Sequence, residues 1–153
     1  MSTNKKVDVS FIFQITDKVL WNVFRKNEIG DVLLPFVVIR RLDCILEPVN
    51  NNVRVSYENF KDKVSEEKLA PILKKAAGGL DFFNISKHTL ESLKETPKTI
   101  EIDFNNYLNG FNKDVRDILE NFQFDKVIAR LVKNKLLYQM IDAICQVDLH
   151  PKK

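Results

Sequence analysis

Apolar residues recur at helical spacing through most of the chain, the pattern of amphipathic helices packed on a shared core. Between Ser10 and Arg25, Ile12, Ile15, Val19 and Val23 form one stripe, with Phe13, Leu20 and Phe24 beside it. Ser10 suits the N-cap, and so wide an apolar surface predicts a helix packed on two sides. The next helix spans Asp31 to Glu47 and stops before Pro48. It is apolar on nearly every face, from Val32 through Phe36 and Ile39 to Leu46, which predicts a central, buried element. Pro35 falls at or near its first turn, where a missing N–H costs little.

Asn50-Asn51-Asn52 reads as a loop, and residues 53–79 are polar and lysine-rich. Ser56 is expected to open a short helix reaching Val64. Ser65 then caps a helix through Ala77, with Gly78 as its left-handed terminator. Asp81 to Asn84 is a turn that buries Phe82 or Phe83. Thr89 to Glu95 forms a short helix stopped at Pro97. Ile100 to Phe104 alternates and suits a strand; the following Tyr107-Leu108-Asn109-Gly110 ends like a helix and favours that reading. Phe111 or Asn112 opens the next helix, with Val115, Ile118, Leu119 and Phe122 on one face. Asp125 caps another, carrying Val127, Ile128, Leu131 and Val132. The last runs from Lys135 to Val147, with Leu137, Met140, Ile141 and Ile144 aligned. The expectation is an all-α fold: a single helical bundle domain of roughly seven or eight helices over residues 10–150, behind a flexible N-terminus at 1–9.

Composition narrows the classes. With 153 residues the chain is long enough for one real core. The 24 Lys+Arg are interleaved with 21 Asp+Glu, giving a net charge of +3. That is short of the basic bias of a domain that binds DNA by itself. The four glycines, Gly30, Gly78, Gly79 and Gly110, form no cluster. A dinucleotide loop needs about three in six residues, so a glycine-rich cofactor loop and a P-loop are excluded. Cys44 and Cys145 sit far apart in apolar runs, suiting reduced, buried thiols of a cytoplasmic protein. Gln14, Thr16 and Asp17 interrupt the N-terminal apolar residues too early for a signal peptide. The longest uncharged apolar run, Val32 to Ile39, is too short to span a membrane.

Catalytic constellations are missing. His88 and His150 have no Cys or carboxylate cluster at metal-ligand spacing, so no metal site is expected. No serine stands in a G-x-S-x-G context. The charged seam of the second helix is more informative. Arg40, Asp43 and Glu47 fall at i, i+3, i+7, and Arg40 with Asp43 reads as a surface pair worth about 0.2–0.5 kcal/mol. Arg41 has Leu34, Val37, Val38, Cys44 and Ile45 as helical neighbours, predicting a buried guanidinium that needs a carboxylate or carbonyl from another helix. It is either a structural lock between two helices or a group that reaches a partner surface or phosphate. In Asp114-Val115-Arg116-Asp117, Arg116 can pair with Glu120, and the aspartates sit where the helix dipole favours them. Lys61, Lys63, Lys68, Lys74 and Lys75 read as a solvated face. Lys61, Lys63, Lys74 and Lys75 also join Arg40 and Arg41 as candidate partner or DNA contacts.

Three runs carry a resemblance. Leu34-Pro35-Phe36-Val37-Val38-Ile39-Arg40-Arg41-Leu42-Asp43-Cys44-Ile45-Leu46-Glu47-Pro48 resembles a hallmark of the N-terminal region of type I restriction-modification methyltransferase (M) subunits. Asn106 to Phe111, leading into Asn112 to Glu120, agrees with it. So does Phe122-Gln123-Phe124-Asp125 followed by Ile128 to Leu131 and Asn134 to Tyr138. The first helix, Ile15 to Phe24 with Trp21, also fits, and the likeness covers about residues 10–150. It implies that the full-length protein methylates adenine N6 in DNA with S-adenosylmethionine. It also implies a specificity subunit, a restriction subunit, a second methyltransferase subunit and double-stranded DNA as partners. The cofactor loop and the Asn-Pro-Pro-aromatic base-gripping motif of such enzymes lie in a later Rossmann-like domain, expected downstream of Lys153. None of the five prolines here stands in such a motif, so no catalytic residue carries over and no cofactor is expected in this stretch. The implied role is subunit assembly and DNA clamping; the alternative is a stand-alone helical protein-interaction module without a DNA role.

Overall fold

The computed structural model describes residues 14–151 other than Asn22. Eight α-helices occur among them: α1 (Ile29–Leu46), α2 (Asn50–Phe60), α3 (Glu66–Ala76), α4 (Leu90–Leu93), α5 (Ile100–Asn109), α6 (Lys113–Asn121), α7 (Phe124–Lys133) and α8 (Leu137–Cys145). A π-helical turn, Thr16–Leu20, precedes α1, and a 3-10 turn, Pro97–Thr99, precedes α5. The all-α bundle expected from periodicity is the fold observed. Residues 1–9, Ser10, Ile12 and Phe13 lie outside the described residues.

The main core is built on α1. Phe36, at its centre, meets Phe124 of α7 edge-on at 5.0 Å and stacks on Phe104 of α5 at 6.0 Å. α1 packs against α7 and α8, α4 and α5 pack on α8, and α6 packs on α7. A second, smaller cluster consists of Val53, Leu69, Leu73, Ala77 and Phe83. It lies in a lobe formed by α2 and α3, which pack on each other.

The lobe is tied to the bundle through the segment after α3. An isolated antiparallel bridge joins Asn84 to Phe111. The Ile85 amide donates to the Gly110 carbonyl (2.8 Å), and the Asn112 amide donates to the Phe83 carbonyl (3.1 Å). Asn84 Nδ2 donates to the Tyr107 carbonyl at 2.9 Å. A Cβ on Gly110 would lie 2.3 Å from Asn84 Oδ1 and 2.8 Å from the Ser86 amide nitrogen. This crossing therefore requires glycine.

Several element limits differ from the pattern-based expectation, each for a local reason. The first helix ends near Leu20, not Arg25, yet Phe24 is still buried. The three asparagines are not a loop: Asn50–Asn52 form the first turn of α2, where unsatisfied backbone N–H groups tolerate polar side chains. The helix expected from Ser56 to Val64 is thus α2, and it ends at Phe60. Pro35 stands inside α1, beyond the first turn, because the helix already begins at Ile29. Asn112 precedes α6 without capping it; its side chain accepts from the Phe83 amide and donates to the Asp81 carbonyl. Gln123, left-handed at φ 52°, precedes α7, so Asp125 sits in the first turn and does not cap it. Lys135 is also left-handed, at φ 59°, which delays α8 to Leu137.

Ser65 and Gly78 behave as expected. The Ser65 side chain accepts from the Lys68 amide, and Gly78 has φ +77°. Thr89 and Ser92 form a reciprocal capping box on α4. Residues 100–104 are helical. Phe104, Tyr107 and Leu108 share the buried face of α5, and the alternate residue Ile102 is left 64% exposed. Ile118, expected on the buried face of α6, is 46% exposed.

Candidate functional site

α1 carries the arginines singled out by the sequence, and their roles are exchanged. Arg40, expected at the surface, is buried at 5% exposure. Its Nε donates to the Val147 carbonyl (2.8 Å) and its Nη2 to the Cys145 carbonyl (3.0 Å). Its Nη1 lies 3.6 Å from Asp43 Oδ2, with both side chains buried. Arg41, expected to be buried, is an exposed residue whose Nη1 donates to the Leu149 carbonyl. It does find a carbonyl, on the segment after α8 and not on another helix. The physical cause is the course of residues 145–150, which cross α1 on the Arg40 side.

Asp43 completes a buried network. Tyr107 donates its hydroxyl to Asp43 Oδ1 at 2.9 Å, and the Leu90 amide donates to the same oxygen at 3.4 Å. Burial raises the Asp43 carboxyl above its ordinary range; the bonds from Tyr107 and Leu90 and the charge of Arg40 pull it back. Burial likewise holds the Tyr107 hydroxyl well above the usual phenol range. Further along, His150 Nδ1 lies 2.7 Å from Asp148 Oδ1 and its Nε2 lies 3.2 Å from Glu47 Oε2. α1 thus straps residues 145–150 through Arg40, Arg41 and Glu47.

Cys44 and Cys145 are both free and buried. Burial raises the Cys44 thiol and pushes Cys145 up to about 12, so neither is an activated nucleophile. Among the described residues, no group of three or more His, Cys, Asp and Glu could hold a metal ion. No helix among them is long and apolar enough to cross a membrane.

The candidate lysines occupy two places in the lobe. Lys61 and Lys63 are exposed in the turn between α2 and α3. Lys61 pairs with Glu58 at 2.9 Å. Lys74 and Lys75 occupy the last turn of α3. Lys68 is exposed between them. On α6 the observed ion pair is Lys113 with Asp117 (2.7 Å), not Arg116 with Glu120.

Between the lobe and the α5–α6 corner lies a cleft of about 900 Å³. Leu69, Leu73, Phe83 and Phe111 form its floor, while Glu66, Glu67, Arg116 and Glu120 stand among its lining. Neither this cleft nor the Asp43–Tyr107 link is legible in the sequence, since each joins segments distant along the chain. Arg130 was also missed: it bonds Glu28 Oε2 (2.9 Å) and the Val23 carbonyl (2.7 Å) and covers the Phe24 ring at 4.2 Å. Only its place among apolar residues of α7 hinted at such a role.

The family described as the HsdM N-terminal domain matches residues 9–144. The chain belongs to this family. Its helices, from the turn before α1 through α8, fall within the matched HsdM N-terminal domain, save Cys145 at the end of α8. The Arg40–Asp43–Tyr107 network is therefore part of that domain, and the strap formed by residues 145–150 lies just beyond the match. No curated protein and no solved structure matches the chain.

Proposed function

We propose that the chain is the non-catalytic helical domain of a type I restriction-modification DNA adenine-N6 methyltransferase subunit, serving subunit assembly and DNA clamping in the cytoplasm. The observation that carries this reading is the family match over residues 9–144. The partners in this reading are the specificity subunit, the restriction subunit, a second methyltransferase subunit and double-stranded DNA. A clamp held in an assembled complex needs only modest positive charge, because tethering raises the effective concentration of its lysines at the phosphates. A net charge of +3 agrees with that.

S-adenosylmethionine would act in a later domain. The residues present do not fit it: Gly30 lies in the first turn of α1, Gly78 and Gly79 end α3, and Gly110 is occupied by its crossing with Asn84 and Ser86. Arg40 is committed to backbone carbonyls, which leaves Arg41, Lys61, Lys63, Lys74 and Lys75 as the candidate contacts.

The test uses the full-length subunit assembled with its specificity subunit. Lys74→Ala with Lys75→Ala should weaken duplex binding and reduce the salt slope by about 0.9 for each phosphate no longer neutralised, with assembly intact. An unchanged slope and affinity for this pair and for Lys61→Ala with Lys63→Ala would reject clamping. The acid-bearing cleft favours the second reading, a stand-alone helical protein-interaction module without a DNA role. A reading frame that continues past Lys153 into a glycine-rich loop and an Asn-Pro-Pro-aromatic motif separates the first reading from the second.

A further inference from the structure

The cleft between the lobe and α6 combines an apolar floor with unbalanced charge. Tyr57, Ala70 and Ile85 add half-exposed apolar surface to the buried floor. Two of the three lining cations are already neutralised, Lys61 by Glu58 and Lys113 by Asp117. Arg116 then faces Glu66 and Glu67 from the first turn of α3 and Glu120 from α6. Among the described residues none of these four makes an ion pair. Acidic charge is therefore left over on the α3 wall, from Glu66 and Glu67, while Arg116 offsets Glu120 on the α6 wall of an apolar groove.

That pattern is the complement of a helix with an apolar ridge and a basic flank, which reads a groove through anchors at i, i+3, i+4 and i+7. It does not suit duplex DNA, whose phosphates would meet the three glutamates. It does not suit a small polar ligand either, since such sites aim a few placed polar groups at the ligand. The buried Asn112 side chain is already bonded to the Phe83 amide and the Asp81 carbonyl.

We propose that this cleft docks a cationic amphipathic helix of a protein partner. The inference goes beyond the assembly reading by naming the partner's chemistry, and it rests on that reading only for which complex supplies the helix. The probe is a labelled peptide of about five helical turns, leucine on one face and lysine on the other. A control peptide carries glutamate in place of lysine. The lysine peptide should bind saturably and about tenfold or more tighter than the control. Glu66→Lys, Glu67→Lys and Glu120→Lys together should weaken it about tenfold with the helical circular dichroism unchanged. Should the triple variant lose its fold, Glu120→Lys alone, on exposed α6, must still weaken binding severalfold. Ala70→Trp, which fills the floor and keeps the acids, should also weaken it. Equal affinity for the control peptide, affinity indifferent to these variants, or displacement by equimolar duplex DNA would each overturn the proposal. A subunit complex that fails to assemble while the peptide still binds removes the assembly reading alone.

Discussion

The Tyr107 hydroxyl donates to Asp43 Oδ1 across 2.9 Å, joining α5 to the central helix α1 inside the core. Removing a partner from a buried carboxylate costs the desolvation it had offset, about 1–3 kcal/mol. Tyr107→Phe should lose that much stability in urea unfolding. Since the two side chains form one network, Asp43→Asn combined with Tyr107→Phe should cost less than the two single changes added. A Tyr107→Phe protein within about 0.5 kcal/mol of the parent would refute the role given to this bond.

The two neighbouring arginines of α1 should separate cleanly on mutation. Arg40→Met leaves Asp43 and the carbonyls of Cys145 and Val147 without their buried donor. Breaking such a buried group costs about 3–5 kcal/mol. Arg41→Met removes one bond to Leu149 at an exposed residue, worth about 1 kcal/mol. Thermal unfolding of both variants checks the order. If Arg41→Met proves the more damaging, the assignment of the buried lock is wrong.

Gly110 should tolerate nothing larger. Its added methyl would overlap Asn84 and Ser86 at the bridge that ties the lobe to the bundle. Gly110→Ala is expected to destabilise by about 1–3 kcal/mol through overpacking. Faster amide exchange at Ile85 and Asn112 should accompany it. Gly30, with nothing within 4 Å, is the control. Gly30→Ala in α1 should stabilise by about 0.5–1 kcal/mol. Equal effects from the two substitutions would contradict the close approach.

The strap after α8 should respond to pH. Hydrogen bonds to Asp148 first and Glu47 second raise the His150 pKa above 6.5. A raised folded value means the stabilisation is complete below the unfolded pKa and is lost as pH rises through the folded one. Proton NMR should place the His150 midpoint above 6.5, and Glu47→Gln should lower it. A midpoint at or below 6.5, indifferent to Glu47, would remove the strap's titration. At the alkaline end the buried Cys145, raised from 9.0 to about 12, should make stability fall as pH climbs through that window. Cys145→Ala should flatten the fall.

Much of the bundle was legible because each helix hides one face. Val115 and Leu119 in α6, and Leu137, Met140, Ile141 and Ile144 in α8, are spaced as burial demands and are buried. Ser65, Gly78 and Thr89 signalled their turns by their own chemistry. Limits failed where no side chain announces them, as at left-handed Gln123 and Lys135. Asn50–Asn52 failed because asparagine serves a loop and a first helical turn equally well.

The candidate partner-facing residues were harder to read. Lys61 and Lys63 lie in the turn before α3, and Lys74 and Lys75 in its last turn. The cleft beside them takes one wall from residues 57–73 and the other from residues 109–120.

Helical periodicity and local motifs were enough to establish the helical fold, the central place of α1 and the family likeness. Those properties are local, since periodicity records which face of each helix avoids water. That Arg40 and not Arg41 is buried follows from long-range packing, because Arg40's partners lie 105 and 107 residues away. A charge can leave water only where distant backbone arrives to replace it, and that arrival is a property of the assembled fold.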